Sequence, residues 1–311
     1  MANTRFLENE LTRIEEQVIE QQYPEYLAAS GAILDIESPA GEGVKFYEYN
    51  LITRVGQAQV MATGAEDLPN VDIDRDKRRG QYFVLGNKYH YTTEEIANAE
   101  YAGVPLDDQL LFTARDVMEN EYDEILMFGR SEHDLKGMIG FDAVSRTTVP
   151  NDGNSNGGND NTEWEFKTPD QIYRDLTKIA EDMRIDTKYV YSPEIIGMPT
   201  KQFELISRTP YPSNSDSNNT ILSYFLKQQA FNPRGVKSVL PIPRLEGRFP
   251  GGTDGMVAFT KRSNWIKGKL AQNFTRKASQ ERDLNIYVPC YMKVGGTVIL
   301  QPMSVRESYG I

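Results

Sequence analysis

Apolar residues recur along this chain in two rhythms, and the switches between them lay out its elements. Leu7, Leu11, Ile14 and Val18 fall at steps of four, three and four, the spacing of one helical face. This predicts a helix over residues 4–22, stopped by Pro24. From Val44 to Ile52 (VKFYEYNLI) the residues become those of a β-strand, and a second such run follows at Gln81–Leu85 (QYFVL). Between the two lies the charged stretch AEDLPNVDIDRDKRRG. Hairpin loops ordinarily hold about two to five residues. The ~32 residues from Thr53 to Val84 would let each arm of an extended loop reach roughly 50 Å at about 3.3 Å per residue. An arm of that length cannot bury itself on a monomer of this size, so it predicts a neighbour.

Thr92 and Glu95 form a capping-box pattern that opens a helix to about Ala102, broken by Gly103 and Pro105. Asp107 or Asp108 then caps a longer helix over 108–128, with Leu111, Ala114, Met118, Tyr122, Ile125 and Phe128 on one stripe. About 20 residues at 1.5 Å each make a rod of roughly 30 Å. Its opposite face carries Asp116, Glu119, Glu121, Asp123 and Glu124, read as solvated. Gly129 ends the rod. GMIGFDAV (137–144), a strand from Val144 to Val149 and a polar loop over 151–161 follow. Thr168-Pro169-Asp170 starts a helix striped by Ile172, Leu176, Ile179 and Met183. Beyond it the pattern predicts a short buried strand at Tyr189-Val190-Tyr191, a helix near 199–206 and a polar loop over 209–219. A helix over 220–230 and strands at 236–240 and Met256–Thr260 complete an α/β core spanning 137–275. Asn285–Lys293 and Thr297–Gln301 read as a hairpin around Gly295-Gly296.

The chain has 311 residues, 39% hydrophobic and 25% charged, enough for one large domain or two ordinary ones. A net charge of −11 argues against wrapping DNA, which takes a basic surface; it suits solubility, and an acidic chain can still line a container. Cys290 is the single cysteine, so there is no internal disulfide framework, and its strand-like setting reads as a buried, inert thiol. A catalytic cysteine would need a histidine, and only His90 and His133 exist. His133 lies just past a helix end, where the helix dipole favours it; His90, between two tyrosines, reads as a packed strand residue. Glu8, Glu10, Arg13, Glu15 and Glu16 rule out a signal peptide. No run of about 18 apolar residues is present to span a membrane. These features lead us to expect a soluble protein made in a reducing cytoplasm.

One sharp motif is present. Asp152, Asn154, Asn156, Gly157 and Glu163 match the spacing of a calcium loop. Its context argues against calcium. A strand and Pro150 precede it, Asn159 is polar where an apolar residue belongs, and Trp164-Glu165-Phe166 follows in strand-like alternation. Asn/Asp/Gly-rich stretches produce such matches by chance, so no calcium binding tighter than millimolar is expected. Asp72-x-Asp74-x-Asp76 begins a similar loop, but Lys77, Arg78 and Arg79 follow instead of glycine. Neither phosphate-binding glycine loop nor nucleophile elbow occurs. No catalytic, cofactor or metal residues are assigned, and no enzyme is expected.

The order of parts resembles the major capsid proteins of tailed bacteriophages, with the Hong Kong 97-type shell fold. The cues are Gly137-Met138-Ile139-Gly140 after the long helix, the helix start Thr168-Pro169-Asp170-Gln171-Ile172, and the late strand Asp254-Gly255-Met256-Val257-Ala258-Phe259. The resemblance implies an α+β fold with residues 1–42 as an N-terminal arm. Residues 43–136 would form the first part of a peripheral domain, with an extended β-hairpin loop about 53–84 and a spine helix about 108–128. Residues 137–275 would be an α/β axial domain, and 276–311 the second part of the peripheral domain. It also implies self-assembly into hexamers and pentamers of an icosahedral shell around double-stranded DNA. The chain would reside in the virion capsid, and in host cytoplasm during assembly, with portal, scaffolding and decoration proteins as further partners. An arm beginning near Met1 implies no internal scaffold segment, and no cross-linking pair is assigned. Encapsulin compartment shells are similar in fold and form the alternative; a hydrolase or calcium-binding module is a second, which elution as a small oligomer would separate. A tail or baseplate protein fits less well, having more β-structure. The inter-subunit candidates are Lys77, Arg78 and Arg79, meeting an acidic neighbour surface such as Glu119 and Glu124. Each exposed pair contributes about 0–1 kcal/mol, multiplied by repetition.

Overall fold

The computed structural model describes residues 25–37, 39–56, 70–102, 106–155, 158–212 and 219–311. The helix expected over 4–22 lies outside them. Two five-stranded sheets organise the chain. In the first, Asn285–Ile299 is the central strand. It pairs antiparallel with Phe83–Thr92 along its first part and with Ile266–Arg276 along its second. Asp35–Ile36 and Gln280–Arg282 complete the sheet. In the second, the order is Ser238–Pro241, Ile195–Met198, Gly255–Phe259, Val305–Tyr309, Ser145–Thr148.

The long helix spans Leu106–Phe128 and lays the expected stripe onto the first sheet. Ala114, Met118, Tyr122 and Ile125 share a core with Tyr89, Val288, Cys290 and Met292. Its end is fixed by the turn that follows. Met138 N–H donates to Leu126 O (2.9 Å) and Ile139 N–H to Met127 O (2.8 Å), satisfying carbonyls that a helix terminus leaves unpaired. The reversal is so tight that a Cβ on Gly129 would lie 2.2 Å from Leu135 O, at a φ of +72°.

The helices Pro169–Asp186, Thr200–Arg208 and Ile221–Ala230 cover the second sheet. Thr168 caps the first with a complete capping box. Gly255–Phe259 is buried throughout because its two faces serve different cores. Val257 and Phe259 join the core of the long helix, whereas Met256 and Ala258 join the other.

Several expectations are corrected. Tyr189-Val190 is no buried strand. Lys188 (φ 50°) and Tyr189 (φ 61°) are left-handed, Tyr189 N–H donates to Arg184 O, and the segment closes the preceding helix. Tyr189 and Val190 are 51% and 64% exposed. Trp164–Phe166 is a single turn of 3₁₀ helix with Trp164 buried, not alternating strand. Asn285–Ile299 is one strand rather than a hairpin. Gly296 (φ +70°) forms an irregularity in the ladder, and a Cβ on Gly295 would lie 2.7 Å from the Tyr82 ring, so these glycines serve close approach and not reversal. The expected boundaries near 275 also move. Ile266–Arg276 lies in the first sheet and Val305–Tyr309 in the second, so 276–311 does not belong wholly to one. His90 is exposed on its strand, stacked on Tyr287 at 5.6 Å; His133 lies in a 3₁₀ turn beside Phe83 at 5.1 Å. Among the described residues no helix is long and apolar enough to cross a membrane.

Candidate functional site

The extended loop is a hairpin of two ten-residue strands, Phe46–Val55 and Asp72–Gln81. This differs from the expected arrangement. The two apolar runs do not flank a loose charged insertion; the charged stretch is itself the return strand. The second apolar run belongs instead to the first sheet, joined to the hairpin through Tyr82. Residues 57–69, between the two strands in sequence, lie outside the described residues.

The hairpin is rooted by aromatic rings over glycines. Tyr47 crosses Gly80 so closely that a Cβ there would lie 2.2 Å from the ring. Its hydroxyl donates to Gly295 O (3.1 Å), and its ring meets Tyr82 edge-on at 5.1 Å. Burial pushes the Tyr47 hydroxyl well above the ordinary phenol range. Beneath it, Lys269 pairs with Glu37, and burial depresses its ammonium.

Beyond the root, the two-residue period of a strand sorts the charges. Arg75, Lys77 and Arg79 share one face with Ile73 and with Glu48, which is paired opposite Arg79. Asp72, Asp74, Asp76 and Arg78 share the other, with Tyr47 and Tyr49. Side-chain contacts agree. Arg79 stacks on Phe46 at 3.6 Å, while Arg78 pairs with Asp76 at 3.4 Å. Every residue from Asp72 to Arg79 is exposed. Lys77, Arg78 and Arg79 are therefore not one basic patch: Arg78 faces away, and Arg75 takes its place.

The long helix treats its charges differently. Asp116 accepts from the Tyr26 hydroxyl (2.6 Å) and Glu121 pairs with Arg130 (2.6 Å). Asp123, 1% exposed, accepts from Ala28 N–H and Ala29 N–H, both at 2.8 Å, and pairs with Arg244 (2.9 Å). Burial raises its pKa despite these partners. Glu119 pairs with Arg115 (2.7 Å), and Glu124 with Arg248 (3.3 Å) and Arg130 (3.9 Å). Part of the face expected to be solvated is thus met by other segments, Asp116 by Tyr26, Asp123 by Ala28, Ala29 and Arg244, and Glu124 by Arg248, and Glu119 and Glu124 already have partners within the chain.

In the calcium-like loop, Asp152 pairs with Arg174 (2.6 Å) and Lys167 (3.4 Å), and Arg174 holds it below the usual carboxylate range. Lys167 is buried against Asp175 (2.6 Å) and Pro150 O (2.8 Å). Asn154 lies exposed in a small hairpin and Glu163 is exposed beyond it; Asn156 and Gly157 are outside the described residues. The charge that calcium would use on Asp152 is neutralised by two cations. Among the described residues no cluster of three or more His, Cys, Asp or Glu is placed to hold a metal. A cleft of about 420 Å³ lies between Trp164, Lys201, Gln202 and Asp254. Lys201 pairs there with Glu165 (3.0 Å) and Asp254 accepts from Gln202 (2.6 Å), and the lining holds no histidine or cysteine.

A family model described as "Major capsid protein" matches residues 56–311. Among solved structures, the capsid of Myoviridae phage XM1 is similar at a TM-score of 0.79 and 14% identity, covering 97% of this chain and 98% of that one. A Mycobacterium phage Ogopogo chain is similar at 0.60 and 12%, covering 97% and 98%. The capsid of cyanophage P-SCSP1u is similar at 0.60 and 12%, covering 96% and 92%. These likenesses establish the fold. No curated protein matches the chain.

Proposed function

The chain belongs to the major capsid protein family and is a shell-forming structural protein, and from that premise we propose that it closes an icosahedral shell of hexamers and pentamers around double-stranded DNA. The observation that carries this reading is the hairpin, whose return strand is exposed from Asp72 to Arg79. A two-stranded ribbon is marginal alone, and this one has polar faces and open edges that a neighbouring copy can cover. In this reading the first sheet and long helix form a peripheral domain, and the second sheet with its three helices forms an axial domain. The chain then returns to the peripheral domain at Ile266–Arg276 and enters the axial domain again at Val305–Tyr309. The chain resides in the virion capsid and in host cytoplasm during assembly; portal, scaffolding and decoration proteins remain its expected partners. Its acidity suits a wall that encloses DNA without gripping it.

Electron microscopy and sedimentation of the purified chain test this. Closed particles or capsomer-sized rings are expected, with shells that retain DNA when assembled in an infected host. A stable monomer with residues 46–81 folded against its own body would overturn the proposal. Small shells that carry protein cargo and no DNA would transfer it to the encapsulin type.

A further inference from the structure

Phe83–Thr92 is an edge strand of the first sheet, and its ten residues make it the longest edge that either five-stranded sheet leaves open among the described residues. Asn285–Ile299 takes one side of it. Three bonds show which of its groups face the other side. Tyr82 N–H donates to Lys45 O (2.9 Å) and Thr92 N–H to the Glu95 carboxylate (2.8 Å), both outside the sheet. Lys277 N–H donates to Pro289 O (2.9 Å), so the residue opposite Lys88 turns its carbonyl away from Lys88. In an antiparallel ladder the N–H and C=O of one residue share a side, and the side alternates along the strand. Val84, Gly86, Lys88 and His90 therefore aim theirs at the open edge, where among the described residues nothing bonds to them. The far edge of the same sheet is treated differently: Glu37, Ala40 and Gly41 N–H donate to Gly268, Leu270 and Ala271 O, so the chain covers it itself.

We infer that this edge receives an extended segment of a second, different polypeptide by strand addition. The inference goes beyond the shell reading and does not rest on it. Lys45 and Glu95 close the two ends of the slot, which admits a strand of about eight residues, roughly 27 Å long. The side chains along it are uncovered as well. Val84 is 61% exposed, and Lys88 lies over the Tyr287 ring (5.0 Å) with no carboxylate paired to it among the described residues. One lysine is a thin guard for an edge of this length, which invites pairing unless something covers it. The segment that fits carries an acidic residue beside Lys88 and an apolar one beside Val84. It has no proline where its own N–H groups must pair. Each strand of the hairpin has ten residues, longer than the slot, so a free segment fits better than a neighbour's ribbon.

Hydrogen exchange of the full chain, as subunits and as particles, tests this. The probe is a synthetic octapeptide with glutamates and a valine on one face and threonine elsewhere. One control has lysine in place of glutamate, and another has N-methyl groups on alternate residues. In the chain alone, the N–H groups of Val84, Gly86, Lys88 and His90 should exchange fast. The acidic peptide should slow them roughly tenfold or more, and neither control should. Lys88→Glu should reverse the preference between the glutamate and lysine peptides. Gly86→Pro removes an outward N–H and no bond of the ladder. It should weaken binding roughly tenfold, with thermal melting to verify folding. No slowing by the acidic peptide overturns the inference, and so does equal slowing by the N-methylated one. Protection already present in particles built from this chain alone also overturns it, because the edge then belongs to another copy. A chain that forms no particles removes the shell reading instead and leaves the subunit measurement decisive.

Discussion

The acidic face of the long helix and the charged strand of the hairpin look alike in sequence, and the molecule uses them in opposite ways. On the helix, Asp116, Asp123 and Glu124 accept from or pair with Tyr26, Ala28, Ala29, Arg244 and Arg248, groups roughly ninety or more positions away in the chain. These charges fasten the chain to itself. On the hairpin, Arg75, Lys77 and Arg79 face solvent. The lesson is that charge density does not report exposure; what matters is whether another segment returns to cover it.

The contrast can be broken first at Asp123. Asp123→Ala leaves two backbone N–H groups and a guanidinium without their acceptor, and should cost about 3–5 kcal/mol in subunit stability by chemical denaturation. A loss under about 1 kcal/mol would mean that the face is not truly covered. Next comes the root of the hairpin. Gly80→Ala drives a methyl group into the Tyr47 ring and should cost roughly 1–3 kcal/mol, with faster proteolysis within residues 46–81. Unchanged proteolysis would show that the ring is not what holds the ribbon.

A pH series separates the regions further. Glu307 is buried, accepting from Gly140 N–H (2.9 Å) and Arg146 (2.9 Å), and burial raises its pKa above the ordinary 4.5. The folded state therefore holds this proton more tightly than the unfolded one. The stabilisation is fully present below the ordinary value and is lost as pH rises through the raised one. Glu307→Gln should flatten this descent in melting curves; an unaltered pH profile would remove Glu307 as its source. The smallest effect belongs to the hairpin. Replacing Arg75 and Lys77 by alanine should change subunit stability by no more than about 0.5 kcal/mol per site, and Arg79→Ala, which loses the stack on Phe46, by about 0.5–1 kcal/mol, though particle yield falls. A loss well above these values in the isolated subunit would mean that Arg75 and Lys77 have partners within their own chain.

Much of the fold was legible because its signals are local. Leu111, Ala114, Met118, Tyr122 and Ile125 mark the long helix by spacing alone, and Thr168 with Gln171 marks a helix start. What stayed hidden depends on distant pairing. Asp72–Gln81 reads as a polar loop until Phe46–Val55 is set beside it. Gly295-Gly296 reads as a turn until Tyr82 needs the room. The two faces of the ribbon, and with them the separation of Arg78 from Lys77 and Arg79, followed only from the strand register. The order of parts carried the family; the residues that would meet a neighbour could not be read from it.

The root built by Tyr47, Gly80, Tyr82 and Gly295 also has a mechanical consequence. Tyr82 fills a space with no room for a methyl group at position 295, so the ribbon is clamped rather than swivelled. Ten paired residues extend from that clamp, a lever of roughly 33 Å. A tilt of about 5° at the base swings its far end by about 3 Å. In the shell proposed above, small repacking around four residues would be magnified at the far end of the ribbon, into the angle at which one copy meets the next, the quantity that sets the curvature of a wall.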